Sequence, residues 1–115
     1  MIAYILNSCS TCQRILKDIN WQGQVYNIKE LGVPIELLEK IKDQEGNYLS
    51  AFSKRAMKYK SMGLKDKTLS EDYIKSLILD EYTFLKRPVI IISDQVFIGN
   101  SKSNVEAIKT KLESS

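Results

Sequence analysis

"RPVIIISDQVFIG" occupies residues 87–99, two apolar runs separated by the polar trio "SDQ". Short β-prone runs around so brief a polar break read as the arms of an antiparallel β-hairpin. Toward the N-terminus, "IAYIL" (2–6) reads as a buried strand and "VYNI" (25–28) as a second one. Between them, from Thr11 to about Asn20, Ile15, Leu16 and Ile19 follow helical spacing. A β-α-β unit demands a right-handed parallel crossover, whereas the hairpin must be antiparallel. A single mixed sheet of all four strands, with helices on its faces, meets both demands.

The intervening stretch reads as mostly helical. Pro34 suits the first position of a helix whose inward face is Leu37, Leu38 and Ile41, with Gly46 as its stop. A further helix is expected from about Tyr48 to Tyr59, with Gly63 beyond it. "TLSE" (68–71) has the form of a capping box ahead of "DYIKSLILDEY". "SKSNVEAIKTKL" (101–112) closes the chain as an amphipathic helix with Val105, Ile108 and Leu112 on one face. The fold class is therefore α/β, a thioredoxin-like β-α-β / β-β-α arrangement with a four-stranded mixed sheet. It is expected as a single domain over residues 1–115, with a helical insertion at approximately 29–86.

A chain of 115 residues fits one domain, and 43% hydrophobic content is enough for a core. The longest apolar stretch, "PVIII" (88–92), is too short to cross a membrane, and "MIAYIL" lacks the basic start of a signal peptide. A cytoplasmic location without membrane contact is expected. The net charge of +3 is a mild bias. Lysines gather at "SKRAMKYK" (53–60) and "LKDK" (64–67). Without a stacking motif or a DNA-reading helix pair, they read as a solvated face, and direct nucleic-acid binding is not expected. The chain contains no histidine, which excludes Cys–His and Ser–His–Asp hydrolases and every His-ligated metal site.

Its two cysteines, Cys9 and Cys12, lie in "SCSTCQRILKDI" (8–19). Two thiols fall short of the four ligands of a structural zinc, and no metal is expected. Two inert buried cysteines are a second reading. The position favours a third, a redox pair: strand, tight connection, then Cys-x-x-Cys at the opening of a helix. Free amides and the dipole there stabilise a thiolate on the first cysteine. The second stands about one turn on, placed to resolve a mixed disulfide. Arg87 and Arg55, if brought to the same place, could hold an oxyanion or a carboxylate and favour the Cys9 thiolate.

With "SCSTC", "FSKRAMKYKSMGL", "LKRPVIII" and "VFIGNS" in place, the chain resembles the arsenate reductase (ArsC)/Spx family over nearly its whole length. The resemblance implies Cys9 as nucleophile, a cis Pro88 beside it, and Arg55 and Arg87 as anion-binding residues. Cys12 is similar to the second cysteine of the Spx branch. Gly99 stands where glutathione-linked members carry an arginine, and Gln13 where an arginine commonly follows the motif. The implied activity is that of a thiol oxidoreductase acting on a thiol/disulfide or oxyanion substrate. No cofactor is tightly bound in that reading, and glutathione, thioredoxin or glutaredoxin donates the electrons. The alternative is a Spx-like redox-sensing transcriptional regulator that binds the RNA polymerase α subunit, with Gly46 upstream of Arg55 at the contact.

Overall fold

The structure, a computed structural model, describes residues 1–114. Its strands are β1 (Ile2–Ile5), β2 (Gln24–Asn27), β3 (Val89–Ile92) and β4 (Gln95–Ile98). Its helices are α1 (Ser10–Asp18), α2 (Ile28–Leu31), α3 (Ile35–Glu45), α4 (Met57–Ser61), α5 (Glu71–Asp80) and α6 (Lys102–Ser114). The chain folds into two compact units, one formed by Met1–Leu31 together with Arg87 onward, the other by Gly32–Lys86.

The first unit contains the expected mixed sheet, in the order β2-β1-β3-β4. β1 and β2 run parallel, while β1–β3 and β3–β4 are antiparallel. Ile92 pairs directly with Gln95, so the hairpin loop is only Ser93 and Asp94, and Ser93 takes a left-handed φ of 55°. Such turns match the twist of the strands they join. Alternate residues of β1 and β3, Ala3 and Ile5 with Ile90 and Ile92, meet Phe97 of β4 on one face of the sheet. Cys12, Ile15 and Ile19 of the α1 segment and Ile108 of α6 close over them, with Leu16, Val105 and Leu112 at the margin. One apolar cluster thus fixes the start of α1 to the centre of the sheet.

One local expectation changes here. β2 is an edge strand with exposed residues 24–26, and Ile28 leaves it to begin α2, where it is buried. Gly23 sets its start: a Cβ there would lie 2.7 Å from the Met1 carbonyl oxygen, which already accepts the Gln24 N–H at 2.9 Å.

In the second unit α3 buries Leu37, Leu38 and Ile41, as its spacing predicts. Pro34 is its cap rather than its first residue, and Gly46 ends it with a φ of 80°, a left-handed stop that glycine tolerates. The helix expected over 48–59 does not form. A short 3-10 turn, Leu49–Ala51, is followed by an extended Phe52 bridged to Leu85 and a turn at Lys54 and Arg55, and α4 begins only at Met57. The cause is sideways pairing. The Lys86 N–H donates to the Ala51 carbonyl at 2.8 Å, the Ser53 N–H to that of Phe84 at 2.7 Å, and Phe52 stacks on Phe84. Backbone groups committed to a distant segment cannot continue a helix.

The capping box is also rearranged. Ser70 caps α5 by accepting the Tyr73 N–H at 3.2 Å, which puts Glu71 first in the helix instead of third. The Glu71 carboxylate accepts the Tyr48 N–H instead of closing back on the cap. Ser70→Ala is expected to lower stability by about 1 kcal/mol, the usual worth of such a cap. Urea unfolding measures it, and an unchanged midpoint would mean that the cap contributes nothing.

Candidate functional site

β1 ends at Ile5 and the chain turns at once, the Cys9 N–H donating to the Leu6 carbonyl at 2.9 Å. Cys9 is the N-cap of α1, half-buried, with the extended dihedrals φ −86° and ψ 107° that a cap residue adopts. The first intrahelical bond runs from the Gln13 N–H to the Cys9 carbonyl at 3.2 Å. The amides of Ser10, Thr11 and Cys12 precede it, so the sulfur stands at the positive end of the helix. No acidic residue occupies this first turn to compete for those amides. Both cysteines are free thiols, and Cys12 is wholly buried in the cluster beneath the sheet face.

The two sulfurs occupy opposite environments. Burial pushes Cys9 up, but the Cys12 backbone N–H, the Cys12 thiol and the Arg87 guanidinium together outweigh it, holding Cys9 below its ordinary value. The Cys12 N–H faces the sulfur without the geometry of a regular cap bond. Cys12 itself is pushed up to about 11, first by burial and then by its neighbour Cys9, against the opposing pull of the Leu6 backbone and Arg87. Because thiolates and not thiols are alkylated, Cys9 is expected to react at lower pH than an ordinary cysteine, while Cys12 stays inert until far above neutrality. Iodoacetamide labelling across pH, read by peptide mass, checks this; coincident midpoints would dissolve the asymmetry.

Arg87 and Pro88 arrive from the other end of the same unit. The Arg87–Pro88 bond is cis, as the resemblance implies, and the buried Pro88 carbonyl accepts the Gly99 N–H at 2.8 Å. The Arg87 guanidinium stands near enough to Cys9 for its charge to favour the thiolate. Its Nε and Nη1 are buried and have no hydrogen-bond partner among the described residues. Buried donors are nearly always paired, which makes these two nitrogens candidates to meet the oxygens of an anion.

Cys9, Cys12, Arg87 and Pro88 are therefore brought together in the sheet-bearing unit. Arg55 belongs to the inserted unit, where it is exposed on the turn ahead of α4. Residues that fasten the loop escaped the sequence reading. The Asn27 Oδ1 accepts the Asn7 N–H at 3.3 Å, and the Gln13 Nε2 reaches the Asn7 carbonyl at 3.5 Å. Gln13 had a signal, since it stands where an arginine is usual. Asn27, at the end of an edge strand, had none.

A model of the ArsC family matches residues 4–108. No curated protein matches the chain significantly by sequence. Among solved structures, an arsenate reductase from Vibrio cholerae is 21% identical with a TM-score of 0.75, covering 93% of this chain and 95% of its own. An ArsC family related protein from Bacteroides fragilis is 22% identical with a TM-score of 0.77, covering 93% and 97%. A protein described as a possible arsenate reductase, from Streptococcus mutans, is 26% identical with a TM-score of 0.70, covering 88% and 90%. The sheet and its helices share the thioredoxin-like fold of these neighbours. No helix of the described residues is long and apolar enough to cross a membrane.

Proposed function

Because this chain belongs to the ArsC family, we propose that it is a thiol oxidoreductase in which Cys9 attacks and Cys12 resolves. The observation that carries the reading is the pairing at Cys9: a thiolate favoured at a helix cap, beside an arginine with two orphaned buried donors. The first feature supplies a nucleophile and the second a hold on an anionic substrate, such as the carboxylate of a glutathione adduct or an oxyanion.

With a glutathionylated substrate, the Cys9 thiolate attacks the glutathione sulfur. A Cys9–glutathione disulfide forms, and the substrate leaves as a thiolate that takes up a proton. Cys12 then loses its proton and attacks the Cys9 sulfur, releasing glutathione as the thiolate and leaving a Cys9–Cys12 disulfide. An external dithiol protein or two glutathione molecules return both cysteines to thiols, becoming oxidised in turn. Electrons and protons balance at each exchange.

The test is a coupled assay with glutathione and either glutaredoxin or thioredoxin, offering a glutathionylated peptide and arsenate as alternative substrates. Turnover of either is the expected result, and the better one names the substrate class. No turnover, combined with redox-dependent binding to the polymerase α C-terminal domain, would replace the enzyme with a regulator. Gly46, the residue that suggested that contact, is accounted for by its left-handed role in ending α3.

A further inference from the structure

The inserted unit carries its charge unevenly. Residues 54–67 contain Lys54, Arg55, Lys58, Lys60, Lys65 and Lys67 against the single carboxylate of Asp66. That is a net of five positive charges in a chain whose total is +3, so the remaining residues are net negative. The segment is one compact lobe, tied by bonds from the Met62 N–H to the Lys58 carbonyl at 2.9 Å and from the Lys67 N–H to that of Leu64 at 3.1 Å. Tyr59 packs its edge on Phe52, and Leu64 is buried, so the apolar anchors turn inward while all six cations are exposed. Of these six cations, Lys58 alone faces a carboxylate among the described residues, that of Glu81 at 3.9 Å.

Amid these cations Met57 is 89% exposed, and Met62, five residues further on, is 39% exposed. Cations alone would make a solvated face; a bare methionine among them adds surface that gains from being covered.

We propose that this lobe docks an acidic protein surface with an apolar centre, Met57 filling the centre and the lysines meeting a rim of carboxylates. Protein interfaces have this anatomy, with an apolar middle and a polar border, and methionine is enriched in them and adapts its shape to the partner. Opposed charge on the rim steers encounter and fixes orientation. Single-stranded nucleic acid fits less well, because the aromatic ring that could stack on bases, Tyr59, is turned against Phe52. A membrane surface fits less well too, since α4 has only five residues and offers no long apolar face. The proposal is independent of the Cys9 chemistry.

The experiment measures binding of the full chain to four probes at low salt. They are a short polyglutamate peptide with a central Leu–Phe pair, the same peptide with serines there, single-stranded DNA of equal charge, and vesicles rich in phosphatidylserine. The Leu–Phe peptide is expected to bind about tenfold more tightly than the serine peptide or the DNA, and to weaken as salt rises. Lys60→Glu combined with Lys65→Glu should weaken it by about tenfold or more while leaving Cys9 labelling unchanged. Met57→Ser should erase the advantage of the Leu–Phe peptide and spare binding of the serine peptide. Tighter binding of DNA or vesicles, no peptide binding at low salt, or full affinity in the charge-reversed variant would each overturn the proposal.

Discussion

Cys9→Ser is expected to abolish adduct formation with glutathione disulfide, and Cys12→Ser to trap the adduct on Cys9. The division follows from placement. Cys9 is half-buried at the cap, beside Arg87 and the first free amides of α1. Cys12 has no exposed surface and is pushed up to about 11, chiefly by burial. A serine at position 9 leaves the helix start intact, since serine is a good cap, but removes the only sulfur an incoming disulfide can reach.

The resolving step has its own logic. Part of what raises Cys12 is its neighbour Cys9, through both its hydrogen bond and its charge. Once Cys9 is tied into a mixed disulfide that charge is gone, whereas Arg87 still favours a thiolate on Cys12. On the proposed roles, forming the adduct is expected to make Cys12 easier to ionise than it is beside a Cys9 thiolate. Intact mass after treatment with glutathione disulfide reads the outcome. Wild type should end as the internal disulfide, Cys12→Ser as protein plus one glutathione, and Cys9→Ser unmodified. An adduct on Cys9→Ser and none on Cys12→Ser would reverse the two roles.

The parts of this site legible in the sequence are those set by neighbours along the chain. Strand, connection and helix cap around Cys9 follow from a few residues, and so does the hairpin that delivers Pro88. Long-range pairing was illegible. Residues 48–59 have a helical look, but the bonds of Ala51 and Ser53 to Lys86 and Phe84 reach more than thirty residues away. No local window contains them. The same holds for Asn27, whose side-chain oxygen steadies the loop before Cys9 from a separate strand. For Arg87, sequence supplied the candidate, but only the fold reveals that two of its nitrogens are buried without partners.

Those nitrogens support the last expected result: Arg87→Ala loses anion binding while the protein becomes no less stable. A charge-assisted hydrogen bond contributes about 1.5–3 kcal/mol, so losing one contact should weaken sulfate or arsenate binding roughly ten- to a hundredfold. The Cys9 labelling midpoint should move to higher pH, because the arginine is one of the groups holding it down. Folding should change little, since Nε and Nη1 bond to no group of the described residues and their removal breaks no internal hydrogen bond. Arg87→Lys separates charge from shape. It should restore much of the labelling midpoint but little of the anion affinity, because an ammonium lacks the planar fork that grips two oxygens. Thermal unfolding, sulfate titration and labelling across pH, run on all three proteins, decide the matter. If Arg87→Ala lowers stability and leaves both anion binding and Cys9 untouched, the arginine is a structural residue. Anion selection would then have to come from the amides of α1 alone.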